Sequence, residues 1–215
     1  MKCPYCDLPA FDGIVSCDGC GFDLSMADRM FGMPPHVSPG VSDPVKLLTK
    51  SQIEKVQARI EEFHRTFPQV TLGLVIHRLP AEAPLRPYMF WLSERAQVFP
   101  QTASGSDARG VMVLFDAENG RLGLLPGYAL EDLLTEQDFH AALAHGDRAF
   151  SKGQIVKGFA AVIDGVEKML KTAWDRVGEV YGIPQEEIDA IQNEGSRTTS
   201  RQHIALAERG GWGMF

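Results

Sequence analysis

The chain has 215 residues, of which 44% are hydrophobic and 23% charged. That suits a soluble globular protein with one mid-sized domain and a small accessory module. No run approaches the roughly 18 to 20 apolar residues that span a bilayer, and Met1-Lys2 leads straight to Cys3 without a signal-peptide pattern, so a cytoplasmic location is expected. The 28 Asp+Glu outnumber the 21 Lys+Arg, for a formal net charge of −7, which argues against nucleic acid as a partner because phosphate binding needs basic side chains.

All four cysteines fall in the first twenty residues, as Cys3-Pro4-Tyr5-Cys6 and Cys17-Asp18-Gly19-Cys20. Each Cys-x-x-Cys turn aims two thiolates at one point, and two such knuckles complete the tetrahedron of sulfurs that zinc accepts. Cys3, Cys6, Cys17 and Cys20 are therefore the expected zinc ligands of a short ribbon, residues 1–24. Gly21 supplies the turn after the last ligand. This segment carries only Lys2 against Asp7, Asp12, Asp18 and Asp23, which favours a structural or protein-contact role over nucleic-acid binding.

Residues 25–43 read as a linker, punctuated by Gly32, Pro34-Pro35 and Pro39-Gly40, with Met26, Met30, Phe31 and Met33 able to pack on a neighbouring surface. The main α/β domain is expected over 44–175. It opens with a helix capped by Ser51 and Glu54, whose apolar positions Ile53, Val56, Ile60 and Phe63 recur at helical spacing. Val70–His77 predicts a strand, Leu85 to about Phe99 a second helix, and Gln101–Arg109 a mobile polar loop. The unbroken apolar run Val111–Phe115 suits a strand covered on both faces. Asn119-Gly120 turns the chain into a partner strand, Arg121–Leu125. Leu130 to about Ala144 and Ser151 to about Trp174 predict two further helices. Residues 176–215 are expected to hold one short helix after Ile183-Pro184 and a flexible tail ending in Trp212, Met214 and Phe215, suited to self-association.

The segment Gly110–Phe159 resembles the TPM domain, a family named for a thylakoid-lumen protein, a photosystem repair protein and a receptor modulator. The likeness rests on Gly110 before the apolar strand, Gly127-Tyr128-Ala129-Leu130-Glu131, Leu134-Thr135-Glu136, Phe150-Ser151-Lys152-Gly153 and Gly158-Phe159, in that order. With the preceding helix–strand–helix it extends over roughly Pro44–Lys171. The resemblance implies a Rossmann-like α/β/α sandwich with a small mixed sheet. It also implies calcium binding in some members and a proposed acid phosphatase activity. This chain departs from the family pattern in Ala108-Arg109, where an acidic or amide pair is usual, in Ala129 for Gly, and in Glu136 for Asp.

Asp116 ends an apolar strand, where α/β folds place functional groups. It equally enters the Asn119-Gly120 hairpin. Glu131, Asp132, Glu136 and Asp138 crowd one helix start, with Asp132 and Glu136 at the spacing of one helical face. They are either oxygen ligands for a cation or acids favoured by the helix dipole. Asp116, Glu131 and Glu136 are thus the candidate second metal set, for calcium. Among the histidines, His77 at a strand end can line a cleft, and none shows ligand spacing. No phosphate-binding loop or Gly-x-Ser-x-Gly elbow is present, nor a cysteine outside the ribbon. The expected function is a non-catalytic interaction or scaffold module that binds a protein partner. The alternative is a metal-dependent phosphohydrolase using those carboxylates.

Overall fold

The structure is a computed structural model that describes residues 2–9, 15–96, 98–99, 106–177, 182, 184 and 186. Met1–Leu170 forms one compact unit and Lys171–Phe215 a second. In the second unit the described residues are the end of a helix running to Asp175, the turn after it to Val177, and Gly182, Pro184 and Glu186. Apart from Glu186, the short helix expected from Gln185 lies outside the described residues, as does the Trp212–Phe215 tail.

Helix α1 (Leu24–Phe31) follows the cysteine ribbon and precedes strand β1 (Val41–Ser42). Then come α2 (Lys50–Thr66), β2 (Thr71–His77), α3 (Leu85–Arg95), a 3-10 turn (Ser106–Arg109), β3 (Gly110–Asp116) and β4 (Arg121–Pro126). The short helix α4 (Tyr128–Glu131), α5 (Glu136–Phe150) and α6 (Ile155–Asp175) complete the order. The stretch read as a linker therefore holds α1 and β1. Asp23 caps α1, its carboxylate accepting from the Met26 N–H at 2.5 Å, and Ala27 is fully buried.

The sheet runs β1-β2-β3-β4, with β1, β2 and β3 parallel and β4 antiparallel to β3. This is the mixed α/β arrangement expected. Every residue of β3 is buried, as its unbroken apolar sequence demands of a strand covered on both faces. Successive side chains point to opposite faces. Val75, Met112 and Leu114 join a cluster with Tyr88, Met89, Trp91 and Leu92 of α3. On the other face Phe115 stacks on Phe150 at 5.3 Å and meets Phe159 edge-on at 5.5 Å. Helix α2 is tied to α6 on that face, Arg59 bonding Asp164 at 2.6 Å and Glu167 at 2.8 Å.

Local differences from the sequence reading have identifiable causes. Helix α2 starts at Lys50 because the capping box is Thr49 with Gln52, the Thr49 hydroxyl accepting from the Gln52 N–H and the Gln52 side-chain Oε1 accepting from the Thr49 N–H. The helix expected from Leu130 is broken. Asp132 caps the end of α4, and Thr135 with Asp138 forms the capping box of α5. Asp132 and Glu136 therefore do not share a helical face.

Candidate metal centre

The two knuckles fold as near copies. In the first, the Cys3 N–H donates to the Leu8 carbonyl at 2.8 Å and the Asp7 N–H to the Cys3 carbonyl at 3.0 Å. In the second, the Cys17 N–H donates to Phe22 at 2.9 Å and the Gly21 N–H to Cys17 at 2.7 Å. The residue after each second cysteine is left-handed, Asp7 with φ 61° and Gly21 with φ 71°. Gly21 accommodates this without a Cβ clash, and Asp7 uses the tolerance of a short polar side chain.

The four sulfurs converge. Cys3 Sγ lies 3.7 Å from Cys20 Sγ, and Cys6 Sγ lies 3.6 Å from Cys17 Sγ. All four lie within 4.8 Å of one another. A disulfide needs about 2.0 Å, whereas sulfurs bound to one zinc at about 2.3 Å form a tetrahedron with edges of about 3.8 Å. The donor set thus fits a single thiophilic metal ion. Its own electrostatics are unequal. The N–H groups of Cys20 and Gly19 draw the Cys17 thiol down to about 7. The Phe22 N–H pulls on Cys20, but burial and the neighbouring thiols push that thiol up to about 12. Adjacent thiolates repel in the absence of a cation, which is the charge a metal neutralises.

The centre is built into the domain. Cys3 and Cys17 are buried in the same hydrophobic cluster as Phe22, Ala27, Tyr88, Trp91 and Leu114. Tyr5 stacks on Phe22 at 5.6 Å, Phe22 meets Phe90 of α3 at 6.1 Å, and Arg86 of α3 pairs with Asp7.

The carboxylates proposed as a second site do not come together. Among the described residues, the four cysteines are the one group of three or more His, Cys, Asp or Glu side chains close enough to share an ion. Asp116 has no exposed surface. Its Oδ1 accepts from the N–H groups of Leu79 and Glu118, both at 3.1 Å, and its Oδ2 from Asn119 Nδ2 and Arg121 Nε, both at 2.8 Å. Burial raises its pKa, but these donors outweigh burial and hold the carboxyl below its ordinary range. Asp116 clamps the hairpin to the loop after β2. Glu136 is an exposed first-turn residue of α5, 3.9 Å from Lys2.

His77 does line a cleft, of about 440 Å³, at the end of β2, with Met30 and Phe31 of α1 and Tyr88 of α3 among its walls. His77 Nδ1 lies 3.3 Å from the Tyr88 hydroxyl. Burial pushes the imidazole pKa down and, with the Asp116 charge, the phenol pKa up, so both are neutral at pH 7. The sequence reading missed the α1 wall, although Asp23 before Leu24, Ala27 and Phe31 is a helix-start pattern.

Residues 41–169 match the TPM domain. The chain belongs to the TPM domain family. That TPM match begins at β1 and leaves the ribbon and α1 outside it. No curated protein matches the chain. Structures determined by NMR show similarity to it. The N-terminal domain of a P. gingivalis protein is 20% identical, with a TM-score of 0.49 over 60% of this chain and 80% of that one. The N-terminal domain of the Corynebacterium glutamicum protein cg2496 is 16% identical, with a TM-score of 0.44 over 63% and 82%. Protein BA42 of Bizionia argentinensis is 11% identical, with a TM-score of 0.46 over 61% and 86%. Two of the glycines that carry the resemblance have packing reasons in this chain. A Cβ on Gly110 would lie 2.5 Å from the Phe99 ring, and one on Gly158 would lie 2.6 Å from Phe150. Among the described residues no helix is long and apolar enough to cross a membrane.

Proposed function

We propose that this TPM protein is a zinc-carrying, non-catalytic interaction module. The convergence of the Cys3, Cys6, Cys17 and Cys20 sulfurs carries the zinc assignment: their separations match a zinc tetrahedron and exceed disulfide length. Zinc would supply a fixed, redox-inert node that holds the two knuckles together. The interaction role is supported by apolar side chains at the surface of the same region: Tyr5, Leu8 and Val15 on the ribbon, and Met30 and Met33 at the cleft. Exposed apolar side chains beside a cleft favour a protein partner, and the acidic balance disfavours nucleic acid. The Trp212–Phe215 tail is a second candidate contact, for self-association.

The phosphohydrolase alternative would need carboxylates to hold a cation near a phosphoryl group. Asp116 is instead committed to Asn119, Arg121 and backbone N–H groups. Elemental analysis of purified protein is expected to give one zinc per chain. Pull-downs are expected to recover a partner with wild type and lose it with Cys17→Ser. Absence of zinc would overturn the metal assignment. Steady aryl phosphate hydrolysis, retained in Cys17→Ser and lost in Glu136→Gln, would establish the alternative instead.

A further inference from the structure

The ribbon, α1 and the cleft form one mechanical series. Ser16 of the second knuckle bridges to Asp23. Asp23 is the N-cap of α1, so the last ligand, Cys20, stands three residues before that cap. The far end of α1 supplies Met30 and Phe31 to the cleft. Along its length α1 rests on α3, with Ala27 buried in one cluster with Tyr88, Trp91 and Leu92. Asp28 takes a two-pronged grip from Arg95, at 2.9 and 2.7 Å, and accepts from the Trp91 indole at 2.9 Å. Phe31 packs against Tyr88 and Trp91, ring centroids 5.2 and 5.4 Å apart.

An eight-residue helix is too short to persist alone in water. It persists here because its N-terminal anchor and its α3 face are both fixed. The anchor is the short ribbon of residues 1–24, too small to bury a core of its own, so its fold depends on its metal. We infer that occupancy of the four-cysteine site switches α1 between docked and undocked, and so assembles or dismantles the cleft wall formed by Met30 and Phe31. The inference rests on zinc being the ribbon's metal, and it adds metal-dependent control of the surface assigned above to partner contact. Linkage makes the coupling reciprocal: loosening α1 from α3 must weaken metal binding by the same factor.

The test uses the full chain, with zinc content measured in every sample. After chelation, amide exchange in Leu24–Phe31 is expected to rise and the Trp91 indole N–H resonance to lose its hydrogen-bonded shift. Amides of Thr71–His77 should stay protected. In the reciprocal arm, Asp28→Ala and the milder Arg95→Gln, neither of them a ligand, are expected to weaken zinc binding, by roughly 5- to 150-fold for Asp28→Ala, the usual span of coupling between sites. Unchanged α1 exchange in a sample shown to be zinc-free, or unchanged zinc affinity in both variants, overturns the switch while leaving the zinc assignment standing. A wild-type chain that binds no zinc overturns both.

Discussion

At Asp116 a carboxylate with no exposed surface is satisfied by backbone N–H groups, an amide and a guanidinium. Removing its charge leaves Arg121 unpaired beside the carbonyls of Pro80 and Ala83. Asp116→Asn is expected to lower unfolding free energy by about 3 kcal/mol, in the range for breaking a buried pair, as read by urea denaturation at pH 7. The sign with pH follows from the depressed carboxyl. Its contribution is fully present above the unfolded value, near pH 3.9, and is lost as pH falls through the lower folded value. Wild type should therefore lose this increment below about pH 4, and Asp116→Asn should not. The strand end and the Asn119-Gly120 turn were legible in the sequence around Asp116. Its real partners were not, because Leu79 and Arg121 reach it only after β2 and β3 pair. Gly110 is similar. Its place before an apolar strand was readable, but the Phe99 ring over it was not. Gly110→Ala should cost about 1–3 kcal/mol through overpacking, measured by thermal or urea unfolding.

Helix boundaries show how two equally good local signals compete. Thr49-x-x-Gln52 and Ser51-x-x-Glu54 both fit a capping box, and the sequence pattern alone does not choose between them. Leu48, buried just before Thr49, occupies the staple position that fixes the chain's entry into a helix starting at Lys50. Thr49→Ala should therefore cost about 1 kcal/mol, whereas Ser51→Ala, at an exposed helical position, should stay within about 0.5 kcal/mol. Denaturant midpoints of the two variants separate the alternatives. The acidic crowd from Glu131 to Asp138 resolves in the same way. It is the end of α4 and the capped start of α5, with Thr135 N donating to Asp138 Oδ2 at 2.8 Å. Helix α1 was hidden by Gly32 and the prolines after it, which read more strongly as a linker than its single amphipathic turn pattern reads as a helix.

For the molecule as a whole, cysteine spacing predicted the four-sulfur convergence, and the order of strands and helices predicted the mixed sheet. Spacing says nothing about which surface a ribbon lies on. The sequence therefore gave no sign that Cys3 and Cys17 pack in one cluster with Met112 and Leu114 of the central strand. That contact changes the expected result of metal removal. A freely tethered ribbon would unfold alone, but this one should lower the thermal midpoint of the α3 side of the sheet as well. Calorimetry with and without a chelator checks this, and an unchanged main transition would refute it. The α2–α6 side, held by Arg59 and the Phe115–Phe150–Phe159 rings, should respond least.

The parallel steps from β1 to β2 and from β2 to β3 advance across the sheet in the same sense. Their connecting helices lie on opposite faces, α2 beside α6 and α3 beneath the ribbon. Two such steps cannot share a hand, so one crossover is right-handed and the other left-handed, the sense that strand twist disfavours in nearly all βαβ units. Chain chirality therefore does not place both helices. One of them is held against that bias by what it packs on, and the side chains of these two interfaces specify the topology as well as stabilising it.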